Sequence, residues 1–154
     1  MRVRILTITH KSPAWIQAGY EEYAKRLPLN TLELIEIPAE KRHANAYLKR
    51  IAEREGEKML QVIKPTSRVI ALDIKGKAWS TEQLAKQLTK WQQDGRHVDL
   101  LVGGPEGLSP ACLERAEEKW SLSPLTFPHF LVRVLIAEQI YRAVSILQQH
   151  PYHR

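Results

Sequence analysis

The chain has 154 residues, a net charge of +6, 44% hydrophobic and 26% charged residues. A chain this long buries roughly 68–70% of its unfolded surface, so one globular domain over 1–154 needs no staples. The single cysteine, Cys112, excludes an internal disulfide and reads as a small buried residue. No apolar run approaches a membrane span, and MRVRILTITHKSP lacks the pattern of a secretory signal. A cytoplasmic protein with no membrane association is the expectation.

Residues 2–9 (RVRILTIT) are β-rich, and Ser12 with Pro13 offers an N-cap and first-turn proline for a helix to about Leu27. Residues 32–37 (LELIEI) alternate strictly, as a strand does. From about 44 to 63, apolar residues including Leu48, Ile51, Met59 and Ile63 recur at helical spacing. Residues 69–72 (VIAL) read as a short buried strand closed by Asp73 and the turn IKGK. Ser80 with Gln83 matches a capping box for a helix ending near Gly95. Residues 98–102 (VDLLV) form a strand, Ser109-Pro110 opens a helix to about Lys119, and 120–122 read as a short last strand. The final helix, about 130–149, is apolar on most of its circumference and so must be buried on several sides. Strands alternating with helices predict an α/β fold with a mainly parallel sheet.

The charge is uneven. Residues 1–77 hold 15 Lys/Arg against 9 Asp/Glu, whereas 78–154 hold 8 of each. A basic field of this kind suits a polyanionic partner. Arg2, Arg4, Lys11, Lys25, Arg26, Lys41, Arg42, Lys49 and Arg50 are the candidates for phosphate contacts.

Three strand ends carry unusual loops: LDIKGKAWS at 72–80, VGGPEGLSP at 102–110 and SLSPLTFPHF at 121–130. In parallel sheets ligands gather at such ends. Gly103 and Gly104 allow close backbone approach, while Pro105, Pro110, Pro124 and Pro128 stiffen the loops. Main-chain groups exposed in this way suit a flat heterocycle with donor and acceptor edges. No G-x-G-x-x-G follows a strand and no G-x-x-x-x-G-K-[ST] exists, which disfavours a dinucleotide or a nucleoside triphosphate. His129, His150 and His153 have no cysteine or close acidic companions at ligand spacing, so no metal is expected.

LLVGGPEGLSPA, WSLSPLTFPHFLVRVLIAEQIYRA and the terminal HPYHR, with LIEIPAEKR and LDIKGKAWS, resemble the ribosomal RNA large-subunit methyltransferase H family over essentially the whole chain. This family belongs to the SPOUT class. The resemblance implies a C-terminal trefoil knot, a homodimer, and S-adenosylmethionine as cofactor. It also implies methyl transfer to N3 of a pseudouridine in large-subunit ribosomal RNA, on assembled ribosomes. By resemblance the cofactor residues are Leu72, Asp73, Gly103, Gly104, Ser123, Pro124, Leu125, Thr126, Phe127 and Pro128.

Loss of the N3 proton calls for a base or for charge stabilising the anion. The candidates are His129, Tyr152, His153 and Arg154, with Arg133 and Arg142 as second choices. In the family the site is composite, one subunit's cofactor loops meeting the other's tail. Two other readings stay open: a non-enzymatic basic RNA-binding or ribosome-assembly factor, and a SPOUT enzyme with another RNA target. The first leaves the GGPEG and SPLTFPHF loops without a purpose.

Overall fold

The computed structural model describes residues 1–9, 11–42 and 47–153. Five strands form one sheet: β1 Val3–Thr9, β2 Leu32–Pro38, β3 Arg68–Ala78, β4 Val98–Val102 and β5 Glu118–Ser121. Their spatial order is β2-β1-β4-β3-β5 and every pairing is parallel. The helices are α1 Ala14–Ala24, α2 Leu48–Val62, α3 Thr81–Asp94, α4 Pro110–Arg115 and α5 His129–Leu147, and Pro151–His153 adds one 3-10 turn. Parallel strands need crossovers, and the helices supply them on both faces. The expected α/β fold is what forms.

The pleat sorts β4 between two cores. Val98, Leu100 and Val102 join the cluster under α1, α3 and α5, whereas Leu101 joins Met59 and Cys112 under α2 and α4. Asp99 turns to that second face as a fully buried carboxylate, and Arg4 forks onto it at 2.7 and 2.9 Å. Arg4 also donates to the Val62 carbonyl at 3.0 Å, closing the end of α2.

The start of α3 is settled locally. Ser80 Oγ accepts from Gln83 N, Gln83 Oε1 accepts from Ser80 N, and Gly95 ends the helix at φ 78°. Elsewhere the boundaries move. Pro13 itself is the N-cap of α1, so Ser12 lies one residue outside and its buried hydroxyl caps nothing. The helix ends at Ala24, short of Leu27. Helix α2 begins at Leu48, and the expected start at 44–46 lies outside the described residues. Helix α4 stops at Arg115 because Glu117 N bonds the Val69 carbonyl and Glu117 Oε2 accepts from Val69 N, drawing the chain back into the sheet. Helix α5 spans His129–Leu147, a step earlier than expected at each end.

The largest departure is β3, which runs past the expected turn at 74–77 to Ala78. Trp120 of β5 pairs with both Leu72 and Lys77, so residues 73–76 stand out of the ladder. Gly76 lies directly on the β5 backbone: a Cβ there would sit 2.6 Å from the Lys119 carbonyl carbon.

Candidate functional site

The carboxyl ends of β3, β4 and β5 enclose a cleft of about 410 Å3. Its first wall is Leu72, Asp73 and Ile74, its second the turn after β4, and its third the segment after β5, with His129 and Val132 at the start of α5. Of the residues expected at the cofactor, Leu72, Asp73, Gly103, Gly104, Ser123, Leu125, Thr126 and Phe127 all line this one cleft. Pro124 and Pro128 do not. Pro128 instead holds the N-cap of α5, its carbonyl accepting from Leu131 N at 3.0 Å.

The turn after β4 is stiffened from within. Gly107 N donates to the Gly104 carbonyl at 2.9 Å, with Pro105 preset at the second position and Gly107 at φ 79°. The two glycines are therefore demanded partly by the protein itself. A Cβ on Gly103 would meet the Gly107 carbonyl carbon at 2.5 Å, and one on Gly104 would meet Ile8 Cγ2 at 3.3 Å. The Gly104 carbonyl is engaged in the turn. The third wall is tied in a similar way. Leu125 N donates to Ser123 Oγ at 3.0 Å and Ser121 Oγ donates to the Ser123 carbonyl at 3.2 Å. Leu125 stands 70% exposed at the lip of the cleft.

Beneath the glycine turn lies an ionic cluster that no local motif marks. Arg42 forks onto Glu106 in the turn and reaches the buried Glu55 of α2 at 3.4 Å. Glu55 Oε2 also accepts from Glu40 N at 3.0 Å. The Arg42 guanidinium holds the Glu106 carboxyl below the usual carboxylate range, and His129 adds a smaller push in the same direction. His129 thus faces the turn electrostatically from across the mouth. Charge spacing alone does not reveal this cluster, since Arg42 and Glu106 are 64 positions apart.

Several cations expected on phosphates are occupied by carboxylates: Arg2 by Glu33, Arg4 by Asp99, Lys25 and Arg26 by Glu22, and Arg42 as described. Arg4, its side chain 12% exposed, is committed to the buried Asp99 carboxylate, which corrects its assignment to a nucleic-acid face. Lys11, Lys41, Lys49 and Arg50 remain exposed.

Among the described residues, the tail does not line the cleft within this chain. Tyr152 packs on Tyr141 at 4.5 Å between ring centroids, lies under the Arg142 guanidinium and donates its hydroxyl to Glu138 at 3.2 Å. Those partners sit 9 to 13 residues beyond His129 on α5, roughly 14–20 Å along the axis at 1.5 Å per residue. Burial, with Tyr23 and Glu138 beside it, pushes the Tyr152 phenol up to about 12, so it stays protonated near neutral pH. His153 is half-buried beside it, and Arg154 lies outside the described residues. Arg133 is 2% exposed and bonds Thr9 Oγ1 at 2.8 Å, which locks α5 to β1. Arg142 is held by Glu138.

A parallel five-stranded sheet with a ligand-sized cleft at its carboxyl edge fits many enzymes. The family model described as a predicted SPOUT methyltransferase matches residues 1–153. The chain belongs to the SPOUT methyltransferase family. A relative from Pseudomonas putida, named ribosomal RNA large subunit methyltransferase H, is 53% identical over 155 residues, covering 100% of both proteins. Among solved structures, a probable methyltransferase from Bordetella pertussis superposes with a TM-score of 0.58 at 15% identity, covering 93% of this chain and 96% of that one. A putative methyltransferase from Legionella pneumophila, solved with bound SAM, gives 0.51 at 9% identity, covering 94% and 66%. These two likenesses show a shared fold. Among the described residues no helix is long and apolar enough to cross a membrane, and no group of three or more His, Cys, Asp or Glu is placed to hold a metal ion.

Proposed function

We propose that this protein methylates large-subunit ribosomal RNA at N3 of a pseudouridine, using S-adenosylmethionine, in the cytoplasm and on assembled ribosomes. The observation that carries this reading is full-length identity of 53% with a relative named for that class of substrate. The cleft fits the cofactor. Its volume of about 410 Å3 is within the ordinary range for small-molecule sites, and its walls mix apolar side chains with Asp73, Ser123 and Thr126.

When bound, S-adenosylmethionine supplies a sulfonium methyl already activated for transfer. Leu72, Ile74, Leu108 and Phe127 would offer the adenine an apolar surface, with the stiff turn at 103–107 as the facing wall. Asp73 accepts from hydroxyl or ammonium donors. His129 lines the cleft and would take the N3 imide proton, while the S–CH3 bond of the bound cofactor would break to leave the neutral thioether.

The same reading includes a single domain over 1–154, a trefoil knot and a two-fold dimer. The knot is supported by Trp120 pairing with both Leu72 and Lys77 while Gly76 rests on the β5 backbone, as expected where one segment crosses another. The dimer is supported by Trp15, 60% exposed yet edge-on to Phe130 at 6.4 Å, at the N-terminal ends of α1 and α5. It is also supported by residues 151–153, which pack on α5 far from their own cleft.

The deciding experiment is mass spectrometry of ribosomal RNA nucleosides from a strain lacking this protein. One methylated pseudouridine is expected to vanish and to return when purified protein and S-adenosylmethionine are added to those ribosomes. An unchanged nucleoside profile would refute the reading. Equal methylation of an isolated RNA hairpin would refute the ribosome requirement.

A further inference from the structure

A second cleft, of about 440 Å3, is bounded by β3, β5 and α3 and shares no lining residue with the first. Four cations line it, Arg68, Lys77, Lys90 and Lys119, against the single carboxylate of Glu118. Arg68 is occupied by Asp94 at 3.3 Å and Glu118 at 3.5 Å. The three lysines form no ion pair among the described residues. Their charge escapes a count by halves of the chain, because Lys77 comes from the first half and Lys90 and Lys119 from the neutral second half.

The wall also holds two donors without acceptors. Trp91 is 1% exposed, and its indole N–H is buried with no hydrogen-bond partner. The Nε of Arg68 is buried in the same condition. Both atoms belong to residues of the wall but have no surface open to the cleft, so the lysines and the aromatic face set the chemistry of the ligand instead. Beside them stands Trp79, half-buried and braced by Trp120 at 5.1 Å and Trp91 at 6.2 Å between ring centroids. A planar, rigidly held aromatic selects a base over a bare phosphate.

We propose that this cleft holds an unpaired ribonucleotide of the RNA substrate, apart from the nucleotide being methylated. The phosphate meets Lys77, Lys90 and Lys119, and the base lies against Trp79. This inference rests on the RNA-methylation reading and adds a second anchor to it. The two clefts adjoin on β5, where Lys119 lines one and Trp120 the other. A single strand gripped at both is fixed in register over the methyl-transfer site. In this way a small chain gains selectivity from position as well as from base edges.

The test is steady-state methylation of ribosomes from a strain lacking the protein, at several salt concentrations. In the triple variant Lys77→Gln, Lys90→Gln, Lys119→Gln, KM is expected to rise at least tenfold with kcat within twofold. Cofactor affinity by calorimetry should stay unchanged. The salt slope of log kcat/KM should fall by about 2, at roughly 0.7 per contact with a single strand. Ultraviolet crosslinking of the wild-type complex should give a nucleotide adduct on Trp79. The inference is overturned by an unchanged KM and salt slope, by an equal loss in Lys86→Gln, which lies on α3 outside the cleft, or by adducts confined to other peptides. If wild-type protein methylates no ribosomal RNA, the parent reading falls and takes this one with it. If it does methylate and the triple variant behaves as wild type, only the second anchor falls.

Discussion

Arg42 grips Glu106 from the loop after β2, with Nε 3.1–3.2 Å from both carboxylate oxygens and Nη2 closing the fork. The same guanidinium reaches Glu55, so one cation pins the glycine turn to α2. The floor of the cleft is thus set by charge as well as by proline and glycine geometry.

That clamp is acid-sensitive with a definite sign. The folded-state pKa of Glu106 is depressed by Arg42 below the unfolded value of about 4.3. Its contribution is therefore fully present above about pH 5 and is lost as pH falls through the folded value. Melting temperature and cofactor affinity, measured against pH, should hold level to about pH 5 and drop below about pH 4. Glu106→Gln should flatten that acid limb and cost about 1 kcal/mol at neutral pH, as expected for a partly exposed charged hydrogen bond.

Gly103→Ala tests the turn itself. The new methyl would sit 2.5 Å from one backbone carbon and 2.7 Å from the Leu108 nitrogen, and backbone cannot rotate aside. The expected result is a cost of about 1–3 kcal/mol and at least a tenfold loss of cofactor affinity, with circular dichroism unchanged. Wild-type affinity in this variant would show that the turn does not shape the slot.

His129→Ala separates chemistry from binding. Turnover is expected to drop roughly 100- to 10,000-fold while cofactor affinity moves little, since His129 lies at the mouth of the cleft. Mixing this variant with Tyr152→Ala should restore part of the activity if each site draws its cleft from one chain and its tail from the other. Absence of any recovery after subunit exchange would place the whole site within one protomer.

Arg4→Met probes the buried pair. Asp99 is 0% exposed and would be left charged without its partner, at a cost of about 3–5 kcal/mol in chemical denaturation. RNA affinity should be unaffected, in contrast to a phosphate-contacting arginine.

What could be read from the sequence was whatever is decided within one turn of chain. Ser80, Gln83 and Gly95 announce both ends of α3 because the capping bonds span three residues. The residues that line the cleft were legible chiefly through the resemblance, with the loops themselves marked by glycine and proline. Lys75, Gly76 and Lys77 look like a turn because nothing local shows β5 lying beneath Gly76. The Arg42 clamp was hidden for the same reason, its partners being brought together only by the fold. Ser12 shows the finer limit: a serine before a proline fits two adjacent cap registers, and packing chose between them.

The first cleft draws its walls from residues 72–74, 102–108 and 120–132, so it is complete only when the last helix has begun to form. A chain stopped before β5 leaves the flank of β3 bare, and one stopped anywhere before about residue 132 lacks part of the pocket wall. Competence to capture a small molecule therefore waits on the start of the last helix, and products that end before it should be inert.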